Sequence, residues 1–241
     1  MSTVTVENLD AGYSRVQILH GVSMVAETGT VTCVFGPNGC GKSTLFKAVV
    51  GAIDPWGGRV LLDNQELTHL PANQTLQRGV ALMPQGGGVF PQLSVRNNLR
   101  MGGYALRPRS ELNSRIEELV EEFPLLRGRL NVNAGELSGG EQMILSIARA
   151  LILRPRFLLF DEPSAGLSPK LVGDVLLRAS ALAERGVGVV MIEQNIREAM
   201  RVADRIYVLV GGRNRFEGRP QDISDDRELM HVYLGLRNRE D

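Results

Sequence analysis

The apolar positions of this chain follow two rhythms. Val4 to Leu9 and Ile18 to Ala26 alternate apolar with polar residues, the two-residue period of antiparallel strands with one solvated face. Thr30 to Phe35, Phe157 to Phe160 and Val187 to Ile192 are unbroken apolar runs, which suit parallel strands covered on both faces. Arg59 to Leu62, Gly79 to Met83 and Arg205 to Val210 add further strands, and Asp63-Asn64 signals a turn. Helices are expected at Leu45 to Val50, Pro71 to Arg78, Met143 to Leu153, Lys170 to Arg185 and Ile196 to Ala203. Between Leu93 and Leu137 the pattern turns wholly helical. Ser94 can cap a helix through Met101, and Leu112, Ile116, Leu119, Val120 and Phe123 keep helical spacing until Pro124 stops it.

This order predicts an α/β fold: a mostly parallel sheet, an N-terminal antiparallel β-layer, and a small helical insertion. The expected division is one domain over 1–241, with a core lobe of 1–85 and 155–241 and a helical lobe of 86–154 inserted in it. Gly86-Gly87-Gly88 reads as a flexible hinge between the lobes.

Composition narrows the function. With 241 residues and 43% hydrophobic content the chain can build a real core. Lys+Arg and Asp+Glu balance at 27 each, so no net basic charge points to nucleic acid. Met1 to Asp10 lacks the basic and apolar regions of a leader, and no run approaches the ~18 apolar residues of a membrane span. A soluble, unexported chain is expected, with Cys33 and Cys40 as reduced thiols and Arg237 to Asp241 as a frayed tail.

The chemistry starts at Gly36-Pro37-Asn38-Gly39-Cys40-Gly41-Lys42-Ser43-Thr44, between an apolar strand and a helix. The spacing G-x-x-x-x-G-K-[ST] is that of a phosphate-binding loop. Its glycines let backbone N–H groups wrap an anion, Lys42 supplies a point charge for the β- and γ-phosphates, and Ser43 is placed to ligate Mg²⁺. Phe157-Leu158-Leu159-Phe160-Asp161-Glu162 is a buried strand ending in two acids. Asp161 can hold Mg²⁺ through water, and Glu162 can orient and deprotonate an attacking water. Ser138 and Glu141 form a capping box, while Gly139 and Gly140 bare the backbone at that helix start for a second phosphate contact. Tyr13, in the turn Ala11 to Ser14, either stacks on an adenine or merely packs there, and Gln85 taken alone is a polar residue at a strand end.

Taken together, the P-loop, the glutamine hinge, the helical insert, Leu137-Ser138-Gly139-Gly140-Glu141-Gln142 and the Asp161-Glu162 strand resemble the ATP-binding cassette ATPases of ABC transporters over nearly the whole chain. The resemblance implies that Tyr13 stacks on adenine, that Gln85 contacts Mg²⁺ and senses the γ-phosphate, and that Glu162 is the catalytic base. It also implies that the Leu137 to Gln142 signature contacts ATP held by a second ATPase subunit, in a dimer sandwiching two nucleotides. Two positions depart from the family pattern: Gln194 replaces a histidine that contacts the γ-phosphate, and Ser168 replaces an aspartate. A glutamine amide donates a hydrogen bond but never becomes cationic, so weaker transition-state stabilisation is expected there.

Glu193-Gln194-Asn195, Pro84-Gln85-Gly86 with Val89-Phe90-Pro91, and the ending Val232-Tyr233-Leu234-Gly235 resemble the second, smaller ATPase of branched-chain amino-acid importers and of related urea and amide importers. This implies a peripheral place on the cytoplasmic face of the membrane, a different ATPase as partner, two permease subunits, and a solute-binding protein. A cytosolic ABC ATPase outside transport and a P-loop kinase are the rival classes. Phe90 and Leu93 either dock against the permeases or pack within the insert. Cys40, beside a helix N-terminus, is expected to favour the thiolate and to react readily with thiol reagents.

Overall fold

A computed structural model describes residues 1–223. In chain order the strands and helices are β1 (Thr3–Tyr13), β2 (Val16–Glu27), β3 (Val31–Phe35), α1 (Lys42–Val49), β4 (Gly57–Leu62), β5 (Gln65–Glu66), α2 (Ala72–Gln77), β6 (Val80–Met83), α3 (Val95–Gly102), α4 (Arg109–Glu122), α5 (Gly139–Leu151), β7 (Phe157–Asp161), α6 (Pro169–Glu184), β8 (Gly188–Ile192), α7 (Ile196–Met200), β9 (Arg205–Val210) and β10 (Arg213–Gly218).

Two sheets form. The first is antiparallel, ordered β2-β1-β4-β5; the second is ordered β10-β9-β3-β8-β7-β6 and is parallel from β9 to β6, with β10 antiparallel at its edge. The unbroken apolar runs are explained by this arrangement, because the central strands are covered on both faces. Along β7, Phe157 and Leu159 face the antiparallel layer and α1, whereas Leu158 and Phe160 face the helical side. Along β3, Val34 faces the first core and Cys33 and Phe35 the second. Strand periodicity thus sorts one strand into two cores.

The helical stretch keeps its expected pattern. Ser94 caps α3 by accepting a bond from the Asn97 N–H at 3.2 Å, and α4 buries Leu112, Ile116, Leu119 and Val120. Three expectations shift. The helix expected from Met143 starts at Gly139, so both signature glycines are its first two residues. Tyr13 is the last residue of β1, one position before the turn. The Gly86-Gly87-Gly88 run takes φ values of 72, 73 and 62°, and a Cβ on Gly87 would lie 2.2 Å from the Ser146 hydroxyl of α5. The run is therefore a left-handed turn packed on α5, and its glycines serve close approach as well as backbone freedom. The ending Val232 to Gly235 and the Arg237 to Asp241 tail lie outside the described residues.

Candidate functional site

Four loops meet at the C-terminal edge of neighbouring parallel strands. The phosphate loop follows β3, Glu193 and Gln194 follow β8, Asp161 and Glu162 end β7, and Gln85 follows β6. Since β3, β8, β7 and β6 are adjacent in the sheet, residues far apart in sequence share one cleft, where ligands of open α/β sheets bind. The cleft encloses about 450 Å³ and is lined by Tyr13, Ile18, Asn38, Gly39, Gly41 to Thr44, Gln85, Glu162 and Gln194.

The loop owes its shape to backbone that side chains disfavour. Gly36, Gly39 and Gly41 have φ of 147, 80 and 106°, and a Cβ on Gly36 would lie 2.1 Å from the Leu209 carbonyl. Lys42 is buried, and its ammonium donates to the carbonyls of Gly36 at 2.8 Å and Pro37 at 3.1 Å. The cation is thereby held over the loop. Thr44 is buried behind it, and Asn38 and Gly39 are exposed at its rim.

Beside the loop, Ser43 Oγ donates to Asp161 Oδ1 at 3.0 Å. Burial pushes the Asp161 carboxyl above its usual range and neighbouring Glu162 adds to this, while the Ser43 hydroxyl opposes it. Glu162 sits in the left-handed region at φ 52°, which turns it out of the strand line. Its Oε2 accepts two amide hydrogen bonds, from Gln85 Nε2 at 3.0 Å and from Gln194 Nε2 at 2.8 Å. Lys47 Nζ lies 3.4 Å from the Tyr13 hydroxyl and 5.7 Å from its ring centre, and Tyr13 is 42% exposed.

The chain belongs to the ABC transporter family. The family model described as ABC transporter matches residues 19–165. The branched-chain amino acid transport ATP-binding protein BraG of Pseudomonas aeruginosa is 35% identical over 92% of this chain and 95% of its own length. Probable LivF of Archaeoglobus fulgidus, also named for branched-chain amino acid transport, is 35% identical over 95% of this chain and 97% of its own. The lipopolysaccharide export ATP-binding protein LptB of Haemophilus influenzae is equally similar, at 35% over 98% of both chains. Among solved structures, an ABC-transporter cassette in its ADP conformation superposes with a TM-score of 0.84 at 27% identity, covering 98% of this chain and 99% of its own.

This ABC ATPase binds and hydrolyses ATP, and its α/β cassette fold is the one expected. Among the described residues no helix is long and apolar enough to cross a membrane. Its signature stands apart from the cleft. Ser138 accepts from the Glu141 N–H at 3.4 Å and donates its hydroxyl to Glu141 Oε2 at 2.8 Å, and Gln142 Nε2 donates to the carbonyls of Ala134 and Leu137. Leu137 is buried, Ser138 and Gly139 are exposed, and Gly140 borders a separate hollow of about 350 Å³ with Leu167 and Leu171. Within one chain the two halves of the expected site are not brought together.

One expectation is overturned. Cys40 is 6% exposed, and burial raises its thiol above the ordinary value despite the lowering influence of Lys42 and backbone N–H groups. Proximity to a helix start favours a thiolate only where the sulfur is also hydrated or strongly paired. The sequence reading also missed the role of Glu193. It is 2% exposed and accepts from the Ser164 N–H at 3.0 Å, the Ser164 hydroxyl at 2.6 Å and the Gln194 N–H at 3.2 Å, tying the loop after β7 to the loop after β8. Glu193 stood in the sequence within the Glu193-Gln194-Asn195 resemblance, but nothing local tied its carboxylate to Ser164, 29 residues away in the chain.

Proposed function

We propose that this chain is the ATP-hydrolysing subunit that energises an ABC importer of the branched-chain amino-acid class, lying peripherally on the cytoplasmic face of the membrane. The observation that carries the hydrolytic mechanism is the double amide bond to Glu162 Oε2. Two donors from separate loops fix the carboxylate direction, and Glu162 then takes the proton of an attacking water. Lys42 and the loop N–H groups hold the β- and γ-phosphates, and Tyr13 offers a half-exposed ring to the base. Gln194 donates its amide toward the γ-phosphate when it leaves Glu162.

Ser43 and Asp161 offer hard oxygen donors already 3.0 Å apart, and Gln85 keeps its Oε1 for a cation while Nε2 is bonded, so these residues fit Mg²⁺. When bound, the ion neutralises charge developing on the phosphates. A cation there would also offset the cost of the buried Asp161 carboxylate.

The separation of the signature from the cleft supports a sandwich, in which Ser138 and the N–H groups of Gly139 and Gly140 contact ATP held by a second ATPase subunit. Closure of the pair then depends on the γ-phosphate, and its loss opens it. The helical part from 86 to 154 carries this motion toward two permeases. Phe90, 43% exposed, is the docking residue of the expected pair, whereas Leu93 is half-buried and its carbonyl accepts from the Ala134 N–H and the Asn98 side chain.

Substrate class rests on Glu193-Gln194-Asn195 and on the likeness to BraG and LivF, and the equal likeness to LptB makes lipopolysaccharide export the second reading. Affinity purification from the native host in mild detergent separates them. Two permeases with a second ATPase and a solute-binding protein support the importer; permeases without a binding protein support export. Soluble partners alone would overturn transport.

A further inference from the structure

The signature holds a carboxylate where the proposed sandwich brings a phosphate. Glu141 Oε2 accepts from the Ser138 N–H and from the Ser138 hydroxyl, both at 2.8 Å. These two bonds, and after them the nearby Arg129 guanidinium, hold the Glu141 carboxyl below its usual range, so it is an anion at neutral pH. A γ-phosphate arriving at the same helix start meets a like charge a few ångströms away, against only about half a positive charge from the helix N-terminus. The Ser138 hydroxyl has one proton, so it cannot donate to Glu141 and to a phosphate at once.

Among the described residues one cation pairs with this carboxylate. Arg129 Nε lies 3.2 Å from Glu141 Oε1, the oxygen that Ser138 leaves free. Arg129 ends the short 3₁₀ helix Pro124–Arg129, and its carbonyl accepts from the Val132 N–H at 2.9 Å. The Leu130 and Val132 carbonyls accept in turn from the Arg96 and Val95 N–H groups of α3, which anchors the segment. The Arg129 side chain is 47% exposed and that of Glu141 17%. So open a pair adds little to folding. Its effect falls on the charge that the signature shows to a partner.

We propose that Arg129 is a positioning residue for the ATPase reaction: it cancels the Glu141 charge at the signature and draws that carboxylate off the Ser138 hydroxyl, which then turns to the γ-phosphate held by the second ATPase subunit. The proposal rests on the sandwich reading above and adds the residue that makes an acidic signature compatible with a polyphosphate. Glu141 is kept because its bonds to Ser138 close the capping box that starts α5, and Arg129 offsets the charge that comes with it.

The test uses the full chain carrying Glu162→Gln, with ATP-dependent dimerisation followed by analytical ultracentrifugation. Arg129→Met should raise the ATP concentration at half-dimerisation roughly tenfold, and the deficit should shrink as added salt screens the charge. Its Tm should match that of the parent. Arg129→Lys should keep most of the parent behaviour. With Glu141→Gln already in place, Arg129→Met should cause no further loss, because the charge it balances is gone. An equal loss in both backgrounds would show Arg129 acting other than through Glu141, and overturn the inference. Dimerisation of Arg129→Met at the parent ATP concentration would overturn it too and leave the sandwich reading standing. If Arg129→Met does not fold, Arg129→Gln serves with the same outcomes. A Glu162→Gln chain that stays monomeric at saturating ATP would overturn both.

Discussion

The side-chain amide of Gln194 donates to Oε2 of Glu162 at 2.8 Å. Gln85 holds the same oxygen, so Oε1 is left outside the amide pair and is the atom that takes a proton from water in the proposed mechanism. The position where the family pattern has a histidine thus holds the Glu162 carboxylate through a neutral donor.

Gln194→Ala should lower kcat by about 10²-fold, the scale of losing one oriented donor at developing charge, with a much smaller change in KM. Gln194→His supplies a donor that titrates near an ordinary histidine pKa of about 6.5. Steady-state phosphate release measured across pH should therefore gain a step near neutrality that the parent lacks. A flat ratio of the two profiles would show that charge at this position is without effect.

Cys40 should label slowly. Its thiol is raised by burial, so the thiolate fraction at neutral pH is below that of a free cysteine, and alkylation should rise only above the ordinary thiol range. Iodoacetamide labelling followed by mass spectrometry across pH checks this, with Cys40→Ser as the control for Cys33, which is wholly buried and raised further. Fast labelling at neutral pH would contradict the burial argument.

Glu193 should leave a pH signature on stability. Burial raises its folded pKa above the unfolded one, so the stability it contributes is full below the unfolded carboxylate pKa and is lost as pH rises through the raised value. Glu193→Gln removes that titration and costs roughly 1–3 kcal/mol in unmatched donors at Ser164 and Gln194. The Tm difference between parent and variant should shrink from weakly acidic toward neutral pH. A difference that grows over this range would reverse the sign of the argument.

Much of the fold was legible because burial writes itself into periodicity. The unbroken runs at Thr30 to Phe35 and Phe157 to Phe160 became central parallel strands, and the alternation at Val4 to Leu9 became an antiparallel one. Strand β10, Arg-Asn-Arg-Phe-Glu-Gly, carried no such pattern, since an edge strand paired to β9 alone fully buries none of its residues. The helix expected from Met143 begins four residues earlier because the Ser138–Glu141 capping box, legible in the sequence, already holds both glycines in the first turn of α5.

At the site, the spacing of the phosphate loop named its own residues. The convergence of Gln85 and Gln194 on one carboxylate oxygen was not legible, because it depends on the strand order β3-β8-β7-β6, which no local pattern encodes. Asn98 was missed for a related reason. It is fully buried; its Oδ1 accepts from the Phe90 N–H and its Nδ2 donates to the Phe90 carbonyl, so a residue of α3 shapes the loop that follows Gln85.

The most direct measurement is phosphate release by the purified chain and by Glu162→Gln, with size-exclusion chromatography of each in the presence of ATP. The account predicts that the variant loses roughly 10²–10⁴-fold in hydrolysis rate, still binds ATP, and runs as a dimer only when ATP is present. Hydrolysis near the parent rate would show that Glu162 is not the base, and a dimer indifferent to nucleotide would contradict the sandwich.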